Sequence, residues 1–320
     1  MRRIGGIRGL FSVGIATVIA AGCSTASSPL PGAASPSVSG GPSAAPVATA
    51  TPTPEPTPTP VPTETLTETF PSGSFSDPTT VDNRWFPLVP GTRLTFDGAS
   101  NDEGERIPHR VVLTVTDMTK VIGGVRTVVG YELDYSDGDL VEAELAFWAQ
   151  DDEGTVWHLG QYPEEYEDGE IDATPAWIAG FADAAAGISM KAEPAFGPLS
   201  YSQGWGPAVN WNDRARVFDM GTTTCVPVGC YEDVLVIDEF NVDEPDAHQL
   251  KYYAPGVGNV RVGWAGANEK DQEELGLVAI ERLDREELTA LRAIVIEMEA
   301  RAFELSKDLY GKTEPAEPGD

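Results

Sequence analysis

The chain has 320 residues, of which 51 are Asp or Glu and 21 are Lys or Arg, giving a formal charge of −30. A surface this acidic repels phosphate backbones and anionic headgroups, which excludes nucleic acid as a partner. Cations, neutral or basic ligands and polymeric envelope components stay open. High negative charge also keeps an exported protein soluble with no partner implied.

The first element is an export signal over residues 1–22. Arg2, Arg3 and Arg8 precede an uncharged apolar run, Leu10 to Ala21, which ends in Ala20-Ala21-Gly22-Cys23. Positive start, apolar run and small-residue end are the three parts of a cleavable signal. The run is short for a membrane span. Its end resembles the lipobox of bacterial lipoproteins, with Ala20 where Leu is usual. That resemblance implies cleavage before Cys23, acyl chains on its thiol and new amino terminus, and attachment to the extracytoplasmic face of the cell membrane. An ordinary secretory signal and an uncleaved anchor are the alternatives.

Residues 23–70 follow as a tether. From residue 24 to 70 there are eleven prolines and no Lys or Arg, with Thr51-Pro52-Thr53-Pro54-Glu55-Pro56-Thr57-Pro58 at the centre. Such a stretch buries no core and is expected to be disordered and extended, reaching on the order of 100 Å at about 3.1 Å per residue. Its Thr-Pro density also suits O-glycosylation.

Residues 71–283 read as an antiparallel β-domain. Turn pairs recur at Gly123-Gly124, Asp137-Gly138, Glu153-Gly154 and Asp168-Gly169, and between them lie Val- and Thr-rich or alternating runs. In 140–150, Ala143, Leu145, Phe147 and Ala149 share one face, while Glu142, Glu144 and Trp148 share the other. About ten strands joined by short turns predict a mainly β fold, a curled antiparallel meander of barrel or sandwich type. Residues 172–213 break the rhythm with Gly, Pro, Ala and three Trp. An irregular stretch of that length inside a compact domain is often functional.

The period changes at Asp284, which with Glu287 forms a capping box. Leu288, Leu291, Val295, Met298, Ala302, Leu305 and Leu309 then recur at helical spacing, predicting one amphipathic helix over 284–311 ended by Gly311. It either packs on its own sheet or pairs with another subunit. Residues 312–320 are expected to be disordered.

With Cys23 taken by the anchor, Cys225 and Cys230 remain, flanking Val226-Pro227-Val228-Gly229. In an oxidising compartment this predicts one structural disulfide fixing a hairpin tip. The spacing is wider than that of a redox-active pair, and no further thiol or imidazole stands close enough for zinc.

Three segments carry a resemblance: Trp85-Phe86-Pro87-Leu88-Val89-Pro90-Gly91-Thr92, Phe147 to Trp157, and Lys251-Tyr252-Tyr253-Ala254-Pro255-Gly256-Val257-Gly258-Asn259-Val260. Together they resemble a group of secreted bacterial lipoprotein domains common in actinobacteria, over about residues 80–283. The matching residues are turns and aromatics of a fold-signature kind, so the resemblance implies an address and a fold and carries over no catalytic residue.

Nucleophile and dinucleotide motifs are absent; Gly256-Val257-Gly258 precedes no helix pattern and reads as a turn. His109, His158 and His248 are the three imidazoles, and His158 stands near Asp151, Asp152 and Glu153. A surface strand position for His158 and a solvated turn for Asp151-Asp152-Glu153-Gly154 are the simpler readings. The same holds for the Asp243-Glu244-Pro245-Asp246 loop before His248, which lacks EF-hand spacing. No metal or other cofactor is expected. The aromatic cluster is the better lead: Trp177, Tyr201, Trp205 and Trp211, interleaved with Gly, either line a pocket for a small apolar or carbohydrate ligand or plug the open end of the sheet. The leading expectation is therefore a lipid-anchored, non-catalytic binding or envelope-interaction module. A hydrolase using paired carboxylates, with Glu142, Glu144, Asp213 and His158 as suspects, is the second reading. A structural or assembly protein using the C-terminal helix is the third.

Overall fold

Two-residue turns set the strand pattern. A computed structural model describes residues 64–102 and 104–319; the signal, Cys23 and the tether up to residue 63 lie outside the described residues. Strands β1 (Thr92–Asp102), β2 (Glu105–Ile122), β3 (Val125–Ser136), β4 (Asp139–Gln150) and β5 (Val156–Glu167) run as an antiparallel meander. At the β3–β4 turn, Asp137 and Gly138 both take positive φ (52° and 91°), the two-residue geometry whose twist matches the flanking strands. A second meander comprises β11 (Asp213–Val226), β12 (Gly229–Asn241), β13 (His248–Ala254), β14 (Gly258–Ala265) and β15 (Glu274–Arg282). The two halves join where β1 pairs with β15.

The stretch 172–213, expected to be irregular, is built of short strands. These are β6 (Glu170–Ala173), β7 (Trp177–Ile178), β8 (Ala185–Met190), β9 (Tyr201–Ser202) and β10 (Gly204–Trp205). β8 pairs with β5 and β10 with β8, while β9 pairs with β11. Only Gln203 separates β9 from β10, so both ends of the sheet arrive at one short segment. The result is a nearly closed antiparallel barrel, the barrel form of the predicted meander. Closure removes the exposed edges that an open sheet of this length would present.

Helix α1 (Arg285–Leu305) starts as predicted. Asp284 accepts from the Glu286 and Glu287 amides, and Glu287 accepts from the Asp284 amide. Leu291, Val295, Met298 and Ala302 are buried against the sheet, and Arg292 reaches Asp117 in β2 while Arg301 reaches Glu164 in β5. The helix covers its own sheet. It ends earlier than predicted: the chain leaves helical geometry at Ser306, α2 (Lys307–Tyr310) adds one turn, and Leu305 is exposed.

Two terminal expectations are corrected. Residues 312–320 do not form a disordered tail over the described part. Glu317 and Pro318 make strand β16 (Glu317–Pro318) against Thr119 and Met118 of β2. The reason is an available edge: β1 pairs with β2 only as far as Thr114 and Gly91 reaches Val115 O, which leaves β2 beyond Val115 open to the tail on that side. Lys120 holds the tail down, its Nζ donating to Glu314 O at 2.7 Å and to Glu299 Oε1 at 2.6 Å, and Glu299 Oε2 accepts from the Ala316 amide. Likewise the tether does not extend to residue 70. Glu64 accepts from the Ser200 amide, Glu68 accepts from the Ser202 amide, and the Phe70 ring meets Trp157 edge-on at 5.2 Å. These acids compensate backbone donors that the two-residue β9 leaves unpaired.

Cys225 and Cys230 face each other at the β11–β12 hairpin and are bonded, the tip being Pro227-Val228. Among the described residues no helix is long and apolar enough to cross a membrane.

Candidate functional site

The aromatic residues of 172–213 meet inside the barrel near the segment that closes it. His158, on β5, stacks on Trp148 of β4 with ring centroids 5.7 Å apart and meets Trp177 edge-on at 4.9 Å and Trp211 at 6.0 Å. Trp177 and Trp211 stack on each other at 5.9 Å. All four rings are buried. The glycines between the tryptophans give close approach, not freedom to hinge. A Cβ at Gly204, which has φ +154°, would stand 2.6 Å from Trp211 Nε1 and 2.7 Å from the Trp177 ring. The closing strand therefore lies directly on the two indoles. Neither indole Nε1 meets a protein acceptor. Tyr201 is buried beneath the Lys191 ammonium, and Trp205 is half-buried in β10. So Trp177 and Trp211 come together, while Trp205 stands apart on the strand.

Beside Trp211 is a polar void. Phe86 and Trp211 form its apolar wall, and Gln203, Asp213, Glu239 and Lys251 its polar one. Lys251 Nζ is 2.7 Å from Glu239 Oε2, Gln203 donates to Glu239 Oε1 at 2.9 Å, and Asn241 donates to Asp213 Oδ1 at 3.1 Å. Its free space, about 20 Å³, suits a water-sized guest; a small organic ligand needs roughly 300 Å³ or more. Larger guests require the 201–211 segment to move. Burial pushes the His158 imidazole down to about 4, against backbone hydrogen bonds to Gly160 and Gln203 that favour its charged form. The ring is thus neutral at neutral pH and behaves as an aromatic spacer.

Deeper in, the barrel carries buried carboxyls. On adjacent strands Glu132 stands opposite Glu144, and Asp134 opposite Glu142, all four buried. They share the face of β4 that carries Trp148; the other face, with Leu145 and Phe147, lies toward Tyr310 and the helix. His109 links this group to the far wall, with Nε2 2.5 Å from Asp134 Oδ1 and Nδ1 2.7 Å from Glu273 Oε1. Gln249 donates to the other Glu273 oxygen. Burial disfavours the His109 cation, but the hydrogen bonds and charges of Asp134 and Glu273 outweigh it and raise the ring to about 10. Burial raises Asp134 to about 6 despite His109. Burial, then Glu144, Asp134 and Glu132, hold Glu142 well above the carboxylate range. Like charges this close oppose one another's ionisation.

The hydrolase suspects are thereby placed. Glu142 and Glu144 lie side by side on one strand, Asp213 sits on the opposite wall bonded to Asn241, and His158 is enclosed by indoles. Of the four, Asp213 and His158 line the small polar void. The acidic turns are structural: Asp151 accepts from the Glu153 and Thr155 amides and from Trp157 Nε1, and Asp246 accepts from the Ala267 amide. His248 is paired with Asp238 at 2.7 Å. Sequence reasoning missed His109, Asp134, Glu239, Lys251 and Glu273. The available signal was acids alternating with apolar residues on strands that a helix was to cover on the other side.

No family model matches the chain, and no curated protein matches it. Two solved structures do: one from Bacteroides fragilis NCTC 9343, described as an exported protein with a YmcC-like fold, at 16% identity and a TM-score of 0.38; and one from Parabacteroides distasonis ATCC 8503, described as a lipoprotein, at 13% and 0.34. Each likeness covers 62% of this chain and 100% of the other. At these values the likeness carries no functional argument.

Proposed function

We propose that this protein is a lipid-anchored extracytoplasmic binding module whose ligand is a small neutral carbohydrate taken at the seam of the barrel. One observation carries the reading: of two stacked, buried indoles whose N–H groups meet no protein acceptor, that of Trp211 borders a row of carboxylate, amide and ammonium groups. A sugar ring offers what both halves lack, an apolar face for the indole and hydroxyls that accept and donate. The seam is closed by two-residue strands, so opening it breaks few ladder bonds.

Titration with neutral mono- and oligosaccharides is expected to quench or shift the tryptophan emission. Trp211→Phe is expected to weaken that binding about tenfold, the scale of one lost hydrogen bond, with the fold retained. No emission change at any saccharide, or binding indifferent to Trp211→Phe, rejects the reading. The anchor has its own test. Cys23→Ala is expected to abolish metabolic acyl labelling and to leave the protein unprocessed or move it to the medium; equal labelling of both forms refutes it.

A further inference from the structure

The segment Glu64 to Ser76 touches both sides of the seam. On one side are β9 and β11. Glu64 Oε1 accepts from the Ser200 amide at 2.9 Å and from its hydroxyl at 2.8 Å, and Glu68 Oε1 accepts from the Ser202 amide at 2.9 Å. The Ser200 bonds, with Arg214 and Arg216 beyond them, hold the Glu64 carboxyl below its usual range. Buried Arg214 of β11 grips both partners at once. Its Nη1 donates to Thr65 O at 2.9 Å, while Nε and Nη2 donate to Ser200 Oγ and O at 2.6 and 3.1 Å. On the other side are β5 and the turn before it. The Phe70 ring meets Phe75 and Trp157 at 5.2 Å each. The Asp152 amide donates to Ser74 O at 2.8 Å, and the Asp152 carboxylate accepts from the Ser76 amide at 2.8 Å.

We propose that Glu64–Ser76 is a strap that holds the seam shut, and that loss of its two carboxylate contacts frees residues 200–206 while the rest of the barrel stays folded. Glu64 and Glu68 are the catches; Phe70 and the Ser74–Ser76 stretch are the fixed end. The ladders at the seam are short: β9 meets β11 over two residue pairs, and β10 meets β8 over two. The bonds from the strap are made to ionised groups, which are roughly twice as strong as bonds between neutral ones. They fall on the Ser200 and Ser202 amides, at the very strand that closes the sheet. Arg214 adds to this. When the strap leaves, its guanidinium loses the Thr65 acceptor and the Glu64 carboxylate, 3.9 Å from its Nε, so a buried charge is left short of partners at the seam. The strap acts on the seam whether or not a saccharide binds there.

The test is amide hydrogen exchange on the full chain, read residue by residue and with no saccharide present. Two amides decide it. Gln203 donates to Asp213 O and Gly206 to Trp211 O, so both belong to the seam and neither is bonded to the strap. Glu64→Ala/Glu68→Ala is expected to lower protection at Gln203 and Gly206 about a hundredfold, roughly tenfold for each charged acceptor removed, and to leave Gly130 and Tyr131 in the middle of β3 as in wild type. Glu64→Gln/Glu68→Gln keeps the acceptors without their charge and is expected to lower it about tenfold. A loss confined to Ser200 and Ser202 overturns the proposal, because the acids then do no more than cap two amides. An equal loss at Gly130 and Tyr131 also overturns it, because the segment then supports the whole barrel and not the seam. Should the Ala pair fail to fold, the Gln pair decides by the same amides.

Discussion

Lys120→Met is expected to lower the unfolding free energy by about 3–5 kcal/mol, the cost of stripping the partner from a buried charge. Lys120 is fully buried between the Tyr310 ring, 4.6 Å from its Nζ, and Glu299, and burial draws its ammonium below the usual lysine range while Glu299 opposes the shift. Removing the ammonium leaves the Glu299 carboxylate enclosed and Glu314 O without its donor. The double variant Lys120→Met/Glu299→Met removes both charges and is expected to recover most of the loss, because a dry apolar pair replaces an ion pair at little net cost. Its C-terminal segment should nevertheless become a protease site, since Glu299 no longer accepts from the Ala316 amide. Urea denaturation of the three proteins measures this. A single-variant loss below about 1 kcal/mol, the range of an exposed pair, would show that the tail does not depend on this contact.

The second large effect is with pH. His158 has a folded value of about 4 and an ordinary value of 6.5, so the unfolded chain takes up a proton that the native barrel refuses. Its contribution is complete above pH 6.5 and is lost as pH falls toward 4, amounting to about 3 kcal/mol at 1.36 kcal/mol per unit. Asp134 and Glu142 act oppositely: their raised folded values mean that the native state holds protons the unfolded chain releases, so their contribution grows as pH falls. The His158 part is therefore read as a difference. Between pH 6.5 and 4, wild type is expected to lose about 3 kcal/mol more than His158→Phe, which keeps an aromatic ring between the indoles and does not titrate. Parallel curves for the two proteins would mean that the ring is already protonated, or solvated, in the fold.

Local chemistry made much of the architecture legible. A turn such as Asp137-Gly138 is decided by the φ its own residues tolerate, and the α1 start by an Asp and a Glu three residues apart; neither needs the rest of the chain. The disulfide followed from parity and spacing, the mainly β class from alternation. The same alternation showed that Glu142, Glu144 and Trp148 share a face, but not which face that is. Ordinarily the apolar face is inside and the acidic one wet. Here the helix covers the apolar face, and closure of the sheet encloses the acidic one.

Closure itself depends on one pairing far apart in the chain, β1 with β15, and on the 201–205 segment pairing with β8 on one side and β11 on the other. No local propensity encodes these, because they pair backbone groups that all residues share. The ordered tail is a case of the same kind: its composition buries nothing by itself, and it docks because β2 has an open edge and Lys120 has donors to spend there. By itself, then, the sequence determined the strands of the two meanders, their turns, the bridge and the start of the helix, since each is specified within a few residues. Only the tertiary structure decided which groups share the interior. It brought His109 to Asp134 and Glu273, Trp177 to Trp211, and Phe86 near Asn259. Those neighbours are set by the curvature and order of the sheet, and curvature and order emerge only when all the strands are assembled.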